Sequence, residues 1–147
     1  MKINIFYKTK VNSYLKKDAL FKKVILKGLD KHAKTKMHIN VVFVDGKEIK
    51  KLNKTFLNHT YETDVIAFEY GIGNKGGEGE TFGDVFVCYD VAKKQAKEYK
   101  HTILTEMLLL ACHGALHFAG YKDKTKKEQA NMHKLAENIL KDLKCLA

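Results

Sequence analysis

The apolar run from Ile103 to Ala119 is the segment around which this chain must arrange itself. It carries Glu106, His113 and His117 but no broad polar face, so it reads as the central, most buried helix. Thr102 can cap its start. Gly120 can end it in a left-handed turn. The run is too short and too polar to cross a bilayer.

His113 and His117 lie four residues apart, on one helix face, close enough to grip one ion. Past Gly120 the chain can turn back and bring Asp123 to the same point. Two imidazoles and one carboxylate leave a fourth position for water, the pattern of a catalytic zinc and not of a structural one. A histidine pair alone says little, because histidines on half-buried faces more often pack and hydrogen-bond. The glycine and the third donor strengthen it. Their spacing is that of the metzincin proteases, H-E-x-x-H-x-x-G-x-x-H, with two departures. Asp123 replaces the third histidine and is an acceptable ligand. Gly114 replaces the glutamate that serves those proteases as general base, which argues against peptide hydrolysis.

The string His113-Gly-Ala-Leu-His117-Phe-Ala-Gly-Tyr121 resembles the motif of the YbeY family of metal-dependent endoribonucleases, H-G-x-L-H-L-x-G-Y-D-H. Thr63-Asp-Val-Ile-Ala-Phe68 is similar to that family's T-D-V-L-S-F, and Phe82-Gly-Asp-Val-Phe-Val87 to its L-G-D-I-x-I. Leu52-Asn53 and Gln95-Ala96 fall where the family has L-N and Q-A. The likeness runs from about Val42 to the C-terminus; the N-terminal third agrees in layout only. It implies a single-strand-specific endoribonuclease acting in ribosomal RNA maturation and quality control, with RNA and the small ribosomal subunit as partners. It also implies His113, His117 and Asp123 as ligands of one zinc ion per chain, a site that other divalent transition metals also suit. The family's arginine, a contact for RNA phosphate, falls on Leu57. Lys54 and His59 are the nearest side chains able to replace it.

A zinc ion lowers the pKa of bound water from ~15.7 toward ~7. A carboxylate ligand leaves the site less positive than three histidines would, so that water should ionise at higher pH here. An Asp123→His variant is therefore expected to move the acidic limb of the pH–rate profile down. A limb that moves up contradicts this.

The formal charge of +10 suggests a polyanionic partner, although a solvated lysine surface is the plainer account. All 27 basic residues are lysines. Lysine meets phosphate as a point charge without arginine's bidentate fork, so RNA contacts should be salt-sensitive and weakly selective. Cys88, Cys112 and Cys145 form no C-x-x-C pair, and an odd count suggests reduced thiols in the cytoplasm. Cys112 points about 100° away from its neighbour His113 on a helix and reads as core. The N-terminus lacks a long apolar signal region.

At 147 residues, 45% of them hydrophobic, the chain can build one domain spanning 1–147. Lys2–Tyr7 alternates like a strand. Asn12 or Ser13 can cap a helix running to about Ala33. His38–Val44 reads as a buried strand, and Lys47 to about Leu57 as a short helix. Asp64–Tyr70 and Asp84–Tyr89 are two further strands. Between them lies the glycine-rich segment from Gly71 to Glu80. It lacks the Gly-Lys-Ser/Thr of a nucleotide-binding loop, so no nucleotide cofactor is expected and a hairpin connection is the reading. Asp90 can cap a helix from Val91 to about Lys100, and a last amphipathic helix covers about Lys126 to Leu143. The order β-α-β-α-β-β-α-α-α predicts an α+β fold, a four-stranded mixed sheet covered by about five helices.

Other residues near the pattern carry two readings each. Glu106 sits two turns before His113 and suits either orientation of a metal-bound histidine or a pairing with lysine. Asp64 and Asp84 start adjacent strands and can line a groove beside the metal or act as strand-end acceptors. His133 is a weaker candidate for a fourth ligand. His32, His38 and His101 read as surface or capping residues. Three functions compete: the endoribonuclease, a small zinc peptidase, and a non-catalytic ribosome-binding factor with a structural metal.

Overall fold

A computed structural model of the chain describes residues 2–29, 36–57, 63–72 and 80–145. The end of the helix expected to reach Ala33, His32, His59 and the middle of the glycine-rich segment lie outside the described residues. Strands β1 (Lys2–Tyr7), β2 (Lys36–Val44), β3 (Val65–Ile72) and β4 (Glu80–Cys88) form one sheet in the order β1-β2-β4-β3. β1, β2 and β4 run parallel; β3 is antiparallel to β4 and lies at the edge. The expected mixed sheet is therefore present, with β4 inserted between β2 and β3.

Side-chain alternation divides the sheet into two faces. Ile39, Val41, Phe43, Val85 and Val87 point to the larger core, which they share with helices α1 (Asp18–Leu29), α4 (Ile103–Phe118) and α5 (Lys126–Asp142). Val42, Val44, Ile66 and Cys88 point the other way, under α2 (Gly46–Leu52), in a smaller core. Helix α3 (Tyr89–Glu98) joins the two, with Ala92 in the larger core and Val91 against the smaller.

Helix α4 is the most buried element, as its composition predicts. Met107 to Cys112 and Gly114 to Leu116 are all buried, and α1, α3 and α5 pack around it. Thr102 accepts a hydrogen bond from the Thr105 N–H at 3.0 Å, the expected cap. At the other end Gly120 takes φ +95°. Its N–H bonds the His117 carbonyl at 3.0 Å and that of Tyr121 bonds the Leu116 carbonyl at 3.1 Å. This is the double bond of a left-handed helix stop. No described helix is long and apolar enough to cross a membrane.

Three local expectations need correction. No helix starts at Asn12 or Ser13: a single 3-10 turn, Ser13–Leu15, precedes α1 at Asp18. The Asn12 side chain makes no capping bond, Leu15 turns into the core, and Asp18 instead puts its carboxylate in the first helical turn. The helix expected over 47–57 is α-helical only to Leu52 and continues as a π-turn, Asn53–Leu57. Asp90 does not cap α3, which begins at Tyr89, two residues before the expected Val91. The Asp90 carboxylate accepts from the Gly46 N–H at 2.7 Å and so ties the start of α2 to the start of α3.

Candidate metal centre

The stop at Gly120 sends the chain back across the last turn of α4. A capping box then starts α5: the Thr125 hydroxyl accepts from the Glu128 N–H and the Glu128 carboxylate from the Thr125 N–H. Gln129 donates to the Asp123 carbonyl at 2.9 Å. The loop holding Asp123 is thus fixed at both ends. Gln129 was not legible as a site residue; its one sequence signal is the T-x-x-E box at Thr125, which places its turn beside the loop.

The three expected donors converge. One oxygen of Asp123, Oδ2, lies 3.4 Å from His113 Nε2 and 3.2 Å from His117 Nε2. All three donor atoms fall within 4.8 Å of one another, the one such group among the described residues. Donors bound to a tetrahedral zinc at ~2.0–2.2 Å stand about 3.3–3.6 Å apart, so the nitrogen–oxygen separations suit one ion. The chemistry suits it as well: two imidazoles and a carboxylate are borderline donors. Burial, with the charge of His117 adding to it, holds the His113 imidazolium below its ordinary pKa. His113 is therefore neutral and free to ligate at neutral pH. The side chains stay 22% (His113), 31% (His117) and 38% (Asp123) accessible, which leaves the donors open to a substrate.

Gly114 explains what this centre lacks. A Cβ placed there would stand 2.4 Å from Val85 Cγ1 and 3.3 Å from Val85 Cβ. The position after His113 therefore faces β4 and not the open side, and no glutamate fits there.

Two recesses flank the donors. The larger, about 530 Å3, lies between α3, α4 and α5 and is lined by Asp64, Gln95, Glu106, His113, Asp123 and His133, among others. The smaller, about 220 Å3, lies between the π-turn and β3, where Asn53, Leu57, Thr63 and Ala67 face His117. Leu57, the position of the missing arginine, is thus at the site. Lys54 is not in that recess and points to a separate groove on α2.

Asp64 lines the larger recess and accepts from Gln95 Nε2 at 3.3 Å, which joins two of the motif segments. Asp84 does not line it. It lies on the opposite face of the sheet, bonded to Asn40 at 3.0 Å and to the Tyr70 hydroxyl at 2.8 Å. The alternation that turns Val85 toward α4 turns Asp84 away. Glu106 is 2% exposed and meets neither metal-type histidine; His101 Nε2 stands 3.3 Å from its Oε1. This corrects both the lysine pairing and the surface reading of His101. His133 stands 3.3 Å from Glu137 and outside the donor group. His38, on β2, stacks on Phe82 of the neighbouring β4, with ring centroids 4.7 Å apart. Cys112 is buried core, its thiol pushed up to about 12 by desolvation.

Burial raises the Glu106 pKa from 4.5, with the nearby His101 partly opposing it. A carboxyl raised on folding favours the folded state below its unfolded pKa and loses that contribution as pH rises through the folded value. Glu106→Gln removes this loss. The melting temperature of the variant relative to wild type should therefore rise between pH 4 and pH 8, with a pH-independent difference as the contrary result.

Fold and donors together define a small α+β protein with a candidate one-ion centre at the end of its most buried helix. The family model described as Endoribonuclease YbeY matches residues 4–144, and the chain belongs to that family. It is 57% identical over 132 residues to the Endoribonuclease YbeY of Elusimicrobium minutum, covering 90% of this chain and 92% of that one. It is 37% identical over 140 residues to that of Acholeplasma laidlawii, covering 95% of each. A solution structure from Thermotoga maritima superposes with a TM-score of 0.60 at 28% identity, over 97% of this chain and 91% of that one.

Proposed function

We propose that the chain is one hydrolase domain, a metal-dependent endoribonuclease that cuts single-stranded RNA in the maturation and quality control of ribosomal RNA. The convergence of His113, His117 and Asp123 on one point at an accessible helix end is the observation that carries the metal dependence. Family membership supports RNA as the substrate, and the net charge of +10 is compatible with it. The reading places its work in the cytoplasm, on the small ribosomal subunit.

His113, His117 and Asp123 would hold the ion, with zinc the best match to two imidazoles and a carboxylate. When bound, it supplies Lewis-acid polarisation of a phosphoryl oxygen and activation of water. The chain's own groups do the positioning. Gln129 and the Thr125–Glu128 box hold the Asp123 loop, and the Gly120 stop sets its direction. Val85 against Gly114 fixes the roll of α4 and so the aim of both histidines. Among the described residues, the smaller recess, walled by Leu57, offers no lysine to a phosphate.

Purified protein should cut a single-stranded RNA, chelator should stop the cutting, and zinc should restore it. RNA left intact with metal bound would favour a ribosome-binding factor with a structural metal. Cleavage of casein would restore the peptidase, against which the Gly114 contact stands.

A further inference from the structure

We propose that the groove between α2 and the end of β1 binds the phosphate backbone of single-stranded RNA and anchors a flank of the substrate away from the metal centre. This rests on the endoribonuclease reading. The groove, about 730 Å3, is lined by Lys8, Lys47, Lys50, Lys51 and Lys54. Asp45 and Glu48 also border it, but Asp45 is engaged as the cap of α2, accepting from the Glu48 N–H at 2.8 Å.

The four lysines of the helical segment follow the spacing i, i+3, i+4, i+7. That is one helix face, occupied by ammonium groups instead of apolar ones. Lys47 with Lys51 and Lys50 with Lys54 are like-charge pairs at i,i+4, each of which costs helix stability. Among the described residues no carboxylate forms an ion pair with any of the five. Five ammonium groups against the carboxylates of Asp45 and Glu48 leave the groove net positive, a site for a polyanion, which gains by releasing its own counterions there.

One feature favours a single nucleic-acid strand over another polyanion. Phe6, 49% exposed, sits on β1 two residues before Lys8, on the same side of the extended chain. An exposed ring on the cationic side is a platform for an unpaired base. The Lys8 N–H bonds the Phe43 carbonyl at 2.8 Å, which holds that side of the groove to the sheet.

The π-turn Asn53–Leu57 links the groove to the reaction site. Lys54 lines the groove, while Asn53 and Leu57 line the recess facing His117. The groove and the recess facing His117 thus share one turn of backbone as a wall. The groove supplies, at a distance, phosphate-binding charge that Leu57 cannot.

The test compares wild type with a Lys47→Gln/Lys50→Gln/Lys51→Gln variant and with Lys127→Gln/Lys134→Gln/Lys141→Gln on α5, which loses the same charge. Glutamine keeps helix propensity, so both variants should fold. Binding of 2′-O-methylated single strands, one of about 20 nucleotides and one of about four, is followed by anisotropy across salt concentrations. The α2 variant is expected to bind the long strand about tenfold more weakly, with its log–log salt slope reduced by about 2, at ~0.7 per lost contact. Its binding of the short strand should change less than twofold, and the α5 variant should resemble wild type. Equal losses in the two variants, equal losses for the two strands, or an unchanged slope would each overturn the proposal. Binding needs no cleavage, so this pattern in a protein that cuts no RNA would uphold the groove and reject the nuclease reading. Active cleavage without the pattern would do the reverse.

Discussion

Alanine at His117 is expected to lower the rate of chelator-sensitive RNA cleavage at least about 10³-fold, near the loss of the metal itself. The side chain is 31% accessible and shares one carboxylate oxygen with His113, so its removal takes a donor from the centre without opening the core. The melting temperature should move by only a few degrees, as for an ordinary surface substitution. A variant that unfolds would leave the activity result ambiguous; His117→Gln then serves as the bulk-preserving control. Retention of wild-type cleavage by folded His117→Ala would remove the metal centre from the reaction.

Restoring the protease glutamate with Gly114→Glu is expected to destabilise the protein by about 3–5 kcal/mol and to create no peptidase. The Cβ alone falls 2.4 Å from a Val85 methyl, and the rest of the side chain would carry a charge into the packing between α4 and β4. Overpacking of a single methyl costs ~1–3 kcal/mol, so Gly114→Ala should already show part of the loss. Urea unfolding measures both. A Gly114→Glu protein as stable as wild type, or one that digests casein, would mean that α4 rolls and that the position can face the open side.

Helix α4 and its donors were legible because local rules meet there. Thr102 caps, Gly120 stops, and a spacing of four residues fixes a shared face whatever surrounds the helix. Asp123 followed from the turn that Gly120 permits. What escaped depends on partners remote in sequence. Asp84 looked like a groove residue until the register of β4 between β2 and β3 put it on the far face. Glu106 found His101, which precedes the helix, because the stop after α3 folds that residue back: its N–H bonds the Ala96 carbonyl. The break at Leu15–Lys16 was hidden because Asn12 is a good cap whose side chain here makes no capping bond. The lysine face of α2 stood in the sequence at helical spacing, but only its position beside the π-turn connects it to His117.

Metal content of purified protein by plasma mass spectrometry, with wild type beside His117→Ala and Asp123→Ala, tests the three-donor centre most directly. The geometry predicts about one ion per chain in wild type and strong loss in both variants, since each removes one of three donors. Metal kept by Asp123→Ala but lost by His117→Ala would take the carboxylate out of the ligand set. Wild type that stays metal-free after zinc is supplied would contradict the centre itself.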